Sequence, residues 1–403
     1  MVLAQAQERL SAGEYAAAAD LYRRVAEASP AQAAAWNGLA FALNGLEDFP
    51  AAEAALRQGL AVQPQHALLR ASLAVSLMRQ QHHAEAETAA RAALALEERV
   101  PEAHLALAES LAARGELAQA ETHYLRSAEL DETLLLCRNV RLAPAFFDDL
   151  ALEALPQDPA FALAPPADGR YDHVVLIAAD PVYFERFGGS FFNSFAENAG
   201  ANGLLHVHLV GAEPAWVERI RRLAGRLGVT AYCVSAEPAP ADQEQKMRRV
   251  FYACARFLHL PRWLAQYNRP IVCLDIDAVV REPARALLEA LAGHDLGLVW
   301  HDSPYSPWTR VLAGTLAASP TGAAIRYLDA VARYIGYFLR TRQAYWSLDQ
   351  IALYCTLRHL QERGAAPDFA KVNDVAEGIA WQLTRKLGAK DRDALYARYR
   401  VPV

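Results

Sequence analysis

Two aspartates separated by one residue, Asp275 and Asp277, carry the clearest chemical signal in this 403-residue sequence. They follow the apolar run Ile-Val-Cys-Leu, which predicts a buried strand. Because side chains alternate along a strand, we expect both carboxylates on one side and Ile276 in the core. Carboxylates placed together repel each other unless a cation joins them, and Mg²⁺ and Mn²⁺ prefer such oxygen ligands. The pair predicts a divalent metal site that could bridge to a substrate diphosphate; two solvated acids in a turn are the alternative.

The elements that would position this pair begin at Tyr171, where strand and helix signals alternate. This alternation favours an α/β domain with a mostly parallel sheet. Ligands of such sheets bind beyond the carboxyl ends of the strands, where Asp180 also lies. The predicted strands are 173–180, 204–211, 229–234 and 269–277, and the predicted helices between them are 187–199, 214–228 and 245–260.

The N-terminal third has a different pattern, a repeat of 34 residues. Leu39, Leu73 and Leu107 show this spacing, and each is followed by an alanine. Small residues let paired helices approach closely while large ones fill the gaps, and the pattern resembles that of tetratricopeptide repeats. Four repeats over residues 1–134 would form a concave groove, which in such arrays typically holds a peptide or another protein. The groove-facing candidates are Asn37, Phe41, Asn44, Met78, Arg79 and Glu109.

Between these regions, five prolines interrupt the period within residues 141–170. We therefore predict a linker over 135–170, with an ordered helix plus loop as an equally compatible interpretation. The expected fold class is α + α/β, with a tetratricopeptide solenoid at 1–134 and an α/β domain with a mostly parallel sheet at 171–403.

Composition excludes several other classes of protein. A net charge of −6 argues against a general nucleic-acid binder, and 53% hydrophobic with 21% charged residues excludes wholesale disorder. The five cysteines are scattered without metal-binding spacing, which is typical of reduced thiols in a cytosolic protein. The sequence shows neither a signal-peptide pattern nor a run apolar enough to span a membrane, so we expect a cytoplasmic protein.

Several short segments occur in an order that resembles the GT-A nucleotide-sugar glycosyltransferases. The likeness is greatest to the retaining galactosyltransferase-like family that includes glycogenin and bacterial lipooligosaccharide enzymes. The segments are 178–195, 252–260, 274–280, 312–321 and 346–354. The resemblance implies a nucleoside-diphosphate sugar donor, expected to be UDP-linked, and a divalent metal, Mn²⁺ or Mg²⁺.

The resemblance also assigns roles by position. It implies that Asp180 and Tyr183 line the nucleotide base, that Arg256 reaches the donor phosphates or sugar, and that Asp275 and Asp277 bind metal and ribose. Ala313–Gly314 matches the strand at the sugar and acceptor site, and Asp349 with Gln350 matches the pair that contacts the transferred sugar. The family supplies a histidine as third metal ligand, and this chain carries Gln382 at that place. Another group such as Asp374 could serve as the third ligand instead. Lys386 and Lys390 could contact phosphate oxygens.

Simpler explanations exist for four of these residues. Arg256 could be a surface arginine of a helix, and Asp180 before a proline is a good turn or cap residue. Ser347 and Gln350 have the spacing of a capping box, in which case Asp349 would be a first-turn carboxylate that the helix dipole favours.

The leading hypothesis is a metal-dependent glycosyltransferase whose repeats recruit a protein acceptor. Asp-Ile-Asp-Ala-Val also satisfies the motif of haloacid-dehalogenase-type phosphatases, with Asp275 as nucleophile, but three predicted strands precede it and no later acidic motif follows. A tetratricopeptide scaffold with a degenerate nucleotide-sugar-binding domain is the non-enzymatic alternative, which the missing histidine supports.

Overall fold

Four pairs of helices make up the N-terminal part of the chain. In the computed structural model, the second, third and fourth pairs begin at Ala33, Ala67 and Pro101, so each starts 34 residues after the one before. The 34-residue period predicted from the sequence is thereby confirmed. The helices are α1 Val2–Ser11, α2 Tyr15–Ala28, α3 Ala33–Gly45, α4 Phe49–Val62, α5 Ala67–Arg79, α6 His83–Leu96, α7 Pro101–Ala113 and α8 Leu117–Leu130.

The structure describes residues 2–155, 157, 159–167, 169–198, 202–240, 244–302, 306–382, 394 and 397–403, with only the backbone of 381 and 382. These residues divide into two compact units. The repeat unit extends to Pro144 and includes Asp302 and Ser306, and the sheet unit comprises Ala145–His301 and Pro307–Val403.

Periodic alanines explain the close packing of the repeat helices. Ala40, Ala74 and Ala108 are fully buried at equivalent positions, and the leucines before them are buried as well. Gly38 shows how tight this packing is, because a Cβ atom there would lie 2.3 Å from Cε1 of Tyr22. The Tyr22 ring is itself buried, and its hydroxyl donates a hydrogen bond to Gln7.

The residues predicted to face the groove of the repeat unit differ in their exposure and their contacts. Phe41 is 61% exposed, as expected for a contact position. Asn37 accepts a hydrogen bond from Ser72, and Asn44 donates one to Ser76, so both join neighbouring repeats. Met78 and Glu109 are buried, and Glu109 accepts a hydrogen bond from Ser306 of the same unit, so neither is an open position of the groove.

Residues 135–170, predicted as a linker, contain regular structure. A 3-10 helix spans Glu132–Asn139, α9 spans Pro144–Leu150, and β1 spans Ala160–Leu163. In the sheet unit, Phe147 of α9 stacks on His359 with ring centroids 3.9 Å apart. An ordered helix plus loop therefore describes this segment better than a loosely packed linker.

Among the described residues, eight strands form the main sheet in the order β1-β4-β3-β2-β5-β8-β7-β9, and β6 pairs with β10 in a second, two-stranded sheet. The strands β4, β3, β2 and β5 are parallel, β8 is antiparallel to both of its neighbours, and β9 is parallel to β7. Beyond β1, the strands are β2 His173–Ala179, β3 Gly203–Val210, β4 Tyr232–Glu237, β5 Ile271–Leu274, β6 Ala278–Val280, β7 Leu296–Trp300, β8 Val311–Ala318, β9 Phe369–Lys371 and β10 Ala380–Gln382.

Helices cover this sheet and bury its apolar strands, of which β2 and β3 are buried along their whole length. A π-helical turn at Phe184–Gly188 joins α10 to α11. The helices are α10 Pro181–Tyr183, α11 Gly189–Asn198, α12 Ala215–Leu227, α13 Gln245–Tyr267, α14 Arg285–Leu291, α15 Pro307–Arg310, α16 Gly322–Arg340, α17 Leu348–Glu362 and α18 Asn373–Ile379.

The chain order reverses between β2 and β5. It runs outward from β2 through β3 to β4 and then returns to place β5 on the other side of β2. Because β2 and β5 are parallel, their carboxyl ends lie at one edge of the sheet, and this reversal is the position at which α/β sheets bind ligands.

The expected α + α/β class is confirmed as a helical repeat region followed by a mixed α/β sheet region. The five cysteines are all buried thiols. In the described part of the chain, no helix combines the length and the apolar character needed to cross a lipid bilayer.

We expect Gly38→Ala to destabilise the repeat unit by about 1–3 kcal/mol, because the added methyl overpacks the buried Tyr22 ring. Gly336→Ala is the control, since a Cβ there meets no atom within 4 Å inside α16 and alanine favours the helix. Urea unfolding followed by circular dichroism measures both. A Gly38→Ala protein as stable as the Gly336→Ala protein would contradict this account of the packing.

Candidate active site

The aspartate pair lies in a turn and not along a strand. Strand β5 ends at Leu274, and the amide of Ala278 donates to the carbonyl of Asp275 over 3.1 Å, which closes the turn before β6. The expectation of strand alternation is corrected here, although Ile276 is buried as expected. The Asp275 side chain is 32% exposed and Asp277 is 9% exposed, so Asp277 is not a solvated acid.

Arg256 is the centre of the polar cluster beside this turn. It is 4% exposed, so the interpretation as a surface arginine is wrong. Its Nη2 atom donates to Oδ1 of Asp275 over 2.6 Å and to the carbonyl oxygen of Ala313 over 2.8 Å. Its Nε atom is buried without a partner among the described residues. One guanidinium therefore joins α13, the aspartate turn and β8, and keeps a donor unused.

Strand β8 fixes the position of the turn through the backbone. It pairs antiparallel with β5, and the pairing continues past the end of β5 because the amide of Asp275 donates to the carbonyl of Gly314 over 3.0 Å. Ala313 and Gly314, which the family resemblance places at the sugar site, thus contact Arg256 and Asp275 respectively.

Asp349 and Gln350 are buried at the start of α17. Ser347 has a positive φ of 66° and makes no side-chain capping hydrogen bond, so the capping box does not form. Oδ1 of Asp349 accepts the backbone amide of Gln350 over 2.9 Å, which is what a first-turn carboxylate does. This local bond does not exclude a role in binding, because a carboxylate accepts several hydrogen bonds.

The cluster has a distinctive electrostatic balance. Burial of Asp349, which is 8% exposed, raises its pKa to about 6, and nearby Asp275 adds to this against the opposing influence of Arg256. Burial works to lower the pKa of Arg256, but Asp275, Cys273 and Asp349 outweigh it, so that the pKa is raised. Arg256 is therefore charged, and Asp349 titrates close to neutral pH.

Asp180 follows β2 at the same sheet edge and caps α10. Its Oδ1 atom accepts the amide of Tyr183 over 2.8 Å, as its position before a proline suggests. Tyr252 of α13 lies near it, since burial and then the charge of Asp180 raise the Tyr252 pKa. Tyr183 exposes about half of its surface.

Strand β10, which follows α18, lies next to the aspartate turn because it pairs with β6. In the β6–β10 ladder, Gln382 is paired with Ala278, the residue directly after Asp277. Asp374 is exposed in the first turn of α18. The predicted phosphate contacts Lys386 and Lys390 lie outside the described residues.

One neighbour of the cluster has no signal in the sequence. Cys254 lies on α13 two residues before Arg256 and is fully buried. Burial and then the charge of Asp349 raise its pKa well above the usual value, so it is a neutral thiol that lines the Asp349 site. A cysteine in an apolar helix face is indistinguishable from a core residue until the fold brings α17 to it.

We expect Arg256→Met to destabilise the sheet unit by about 3–5 kcal/mol, because it leaves two acids together without their counter-charge. Adding Asp275→Asn should recover at least about 1 kcal/mol of this loss in a double-mutant cycle. Arg285→Met is the control, since its ion pair with Glu289 is on the surface and its side chain is 85% exposed. Equal effects of the two single arginine substitutions on urea unfolding would contradict a structural role for the Arg256 pair.

The pKa of Asp349 predicts a stability difference that depends on pH. Because its pKa lies above the ordinary 3.8, protonated Asp349 stabilises the fold, fully below pH 3.8, and this contribution is lost as pH rises through about 6. Ionising this buried group costs on the order of 3 kcal/mol more than ionising an ordinary aspartate.

Metal-free Asp349→Asn protein should therefore be more stable than the unsubstituted protein at pH 7.5 and lose this advantage toward pH 4. Calorimetric unfolding at several pH values measures the difference, with exposed Asp149→Asn as the control. An Asp349→Asn protein that is less stable at pH 7.5 would refute the assignment of a costly buried charge.

Two family models match the N-terminal region, both described as tetratricopeptide repeat, at residues 9–75 and 72–133. No curated protein matches the chain. Among solved structures, a thermophilic tetratricopeptide protein of Thermus thermophilus is 23% identical, with 34% of this chain and 76% of that chain covered and a TM-score of 0.31.

An O-GlcNAc transferase mutant from Thermobaculum terrenum is 21% identical, with 55% of this chain and 39% of that chain covered and a TM-score of 0.30. A tetratricopeptide protein described as having an unusual peptide-binding site is 20% identical, with 34% and 73% covered and a TM-score of 0.28. The two family models and the helix pairs together show that the N-terminal region of this chain consists of tetratricopeptide repeats.

Proposed function

We propose that the sheet unit is a metal-dependent glycosyltransferase that moves a sugar from a UDP-linked donor to an acceptor. The observation that carries the proposal is the buried Arg256, which is bonded to Asp275 and Ala313 and lies in the field of Asp349. A buried cation beside two acids is costly to maintain and is typical of a site that handles a charged ligand.

The position of this cluster supports the proposal. Asp180 and Asp275 follow the two parallel strands between which the chain order reverses, β2 and β5. Sheets of this kind bind nucleotides at the carboxyl ends of the strands on either side of such a reversal. Exposed Tyr183 lies at the same edge and offers a ring face against which a base could stack.

The aspartate turn fits a hard divalent cation. Asp275 and Asp277 supply carboxylate oxygens, which are the ligands that such ions prefer. We assign the metal to these two residues. When bound, Mn²⁺ or Mg²⁺ would act as a Lewis acid that neutralises the leaving nucleoside diphosphate.

The side chains of the cluster divide the remaining work. Arg256 holds a fixed positive charge with an unused Nε donor, which suits the negative charge that grows on departing phosphate oxygens. Asp349 and Gln350 present a carboxylate and an amide that can accept and donate hydrogen bonds to sugar hydroxyls. Since the pKa of Asp349 is about 6, it is ionised at and above neutral pH, where it orients the donor.

We further propose that the acceptor is a protein or peptide that the repeats recruit. Tetratricopeptide arrays bind protein partners along their grooves. Phe41 is large, apolar and largely exposed on the first helix of a pair, as a peptide anchor would be.

A binding protein without turnover is the second candidate, and one observation favours it. Arg256 already neutralises Asp275, so a metal at this position would compete with an existing cation. Gln382, where the family has a histidine, also lies directly beside the turn in the β6–β10 ladder. The phosphatase interpretation has weaker support, because five strands precede Asp275 and its Oδ1 atom is held by Arg256.

We expect the protein to release nucleoside diphosphate slowly when it is incubated with Mn²⁺ and the right member of a panel of nucleotide sugars. Asp277→Ala should abolish the release, and Asp349→Asn should reduce it by at least tenfold while the protein stays folded. Glu289→Ala, which removes a surface carboxylate outside the cluster, should leave the rate unchanged.

Other results would redirect the assignment. Binding of the sugar nucleotide without any release would favour the binding protein, and phosphate release from generic esters would favour the phosphatase. If the protein neither binds nor cleaves any nucleotide sugar of the panel, the proposal is wrong.

A further inference from the structure

A second cluster of ligand-type side chains lies in the sheet unit away from the aspartate turn. The ring nitrogens of His208 and His259 and the carboxylate of Glu237 all lie within 4.8 Å of one another. Glu237 accepts from both rings, over 2.9 Å from Nε2 of His208 and over 3.1 Å from Nε2 of His259. Three elements, β3, β4 and α13, thus bring two imidazoles to one carboxylate.

Strand alternation and register produce this arrangement. His206 and His208 lie on one face of β3, and the parallel ladder pairs His208 with Ser235 and Val210 with Glu237. Helix α13 covers this face with His259 and Trp263. The centroid of the Trp263 ring lies 4.5 to 5.4 Å from the ring centroids of three histidines, His206, His208 and His259.

The charge balance of the cluster leaves a negative charge in the interior. His208 and His259 are fully buried, and burial lowers the pKa of His208 so that the ring is neutral at pH 7. Burial would raise the pKa of Glu237, but the hydrogen bonds from both histidines outweigh it and lower the pKa to about 2. An ionised carboxylate is the form in which glutamate binds a metal ion.

The surrounding contacts resemble the outer support of a metal site. The second ring nitrogen of His208, Nδ1, lies 3.0 Å from Oγ of Ser235, which also contacts His206. Such bonds fix the tautomer of a ligating histidine. Nδ1 of His259 is buried without a partner among the described residues, so the polar contact of this ring is on its Glu237 side.

We propose that His208, Glu237 and His259 bind a transition-metal ion, with Zn²⁺ as the best match, at a site separate from the aspartate turn. Two imidazoles with one carboxylate are a common zinc ligand set, whereas the all-oxygen pair Asp275 and Asp277 suits harder ions. The metal ties β3 and β4 to α13, and His259 is three residues from Arg256 on that helix. It therefore stabilises the helix that carries the charged centre of the candidate active site.

The test uses the full chain with Asp277→Ala as background, which separates this site from the aspartate turn. After removal of metal with a chelator, Zn²⁺ alone is titrated by calorimetry. We expect Glu237→Gln, which preserves side-chain volume, to bind one equivalent of Zn²⁺ fewer than the background protein. His206→Asn is the matched control, because His206 is a buried histidine of β3, the strand of His208, but is not one of the proposed ligands. This variant should bind as many equivalents of Zn²⁺ as the background protein.

A second measurement needs no substitution in the cluster. Co²⁺ added to the metal-free protein should give the intense visible absorption of nitrogen-ligated, low-coordinate cobalt, and Zn²⁺ should displace it. Absence of that absorption, or equal Zn²⁺ stoichiometry in the Glu237→Gln and His206→Asn proteins, would overturn the proposal. Neither result depends on glycosyltransferase activity, so the two proposals fail independently.

Discussion

The ion pair between Arg256 and Asp275 is the interaction on which the candidate active site depends. A guanidinium that is 4% exposed has lost most of its hydration, and a buried charge is tolerated only with paired and hydrogen-bonded partners. Asp275 and the Ala313 carbonyl provide those partners from two different segments, and Asp349 adds a third negative field from the start of α17. The need to neutralise the Arg256 charge therefore holds α13, the aspartate turn, β8 and the start of α17 together around this side chain.

Helix α13 connects this point to the rest of the sheet unit. Over 23 residues it carries Cys254 and Arg256 at the Asp349 site, and then His259 and Trp263 over the face of β3. The two polar clusters described above both use this helix. A shift of α13 would disturb both clusters together, so support at His259 is also support at Arg256.

The sequence predicts periodic features well, but it predicts contacts between residues of different elements poorly. The 34-residue period and the apolar runs of β2, β3 and β5 reflect local packing rules, and they correctly indicate the repeats and the sheet. The turn at Asp275 is held by a hydrogen bond from the Ala278 amide to the Asp275 carbonyl and by one from the Asp275 amide to the Gly314 carbonyl of β8, and the second joins residues far apart in sequence. The partners of Arg256, like the meeting of two histidines with Glu237, arise only from strand order and register. Strand β1 is hidden for a similar reason, because its pairing with β4 is long-range and its flanks are rich in proline.

In the proposed function, Arg256 and the aspartate turn form one nucleotide-sugar site. A crystal of the protein grown with Mn²⁺ and UDP, measured at the manganese absorption edge, tests it most directly. The account predicts an anomalous peak at Asp275 and Asp277 with the diphosphate within hydrogen-bonding distance of Arg256. Nucleotide bound at another edge of the sheet, or manganese absent from the aspartate turn in a nucleotide-bound crystal, would contradict it.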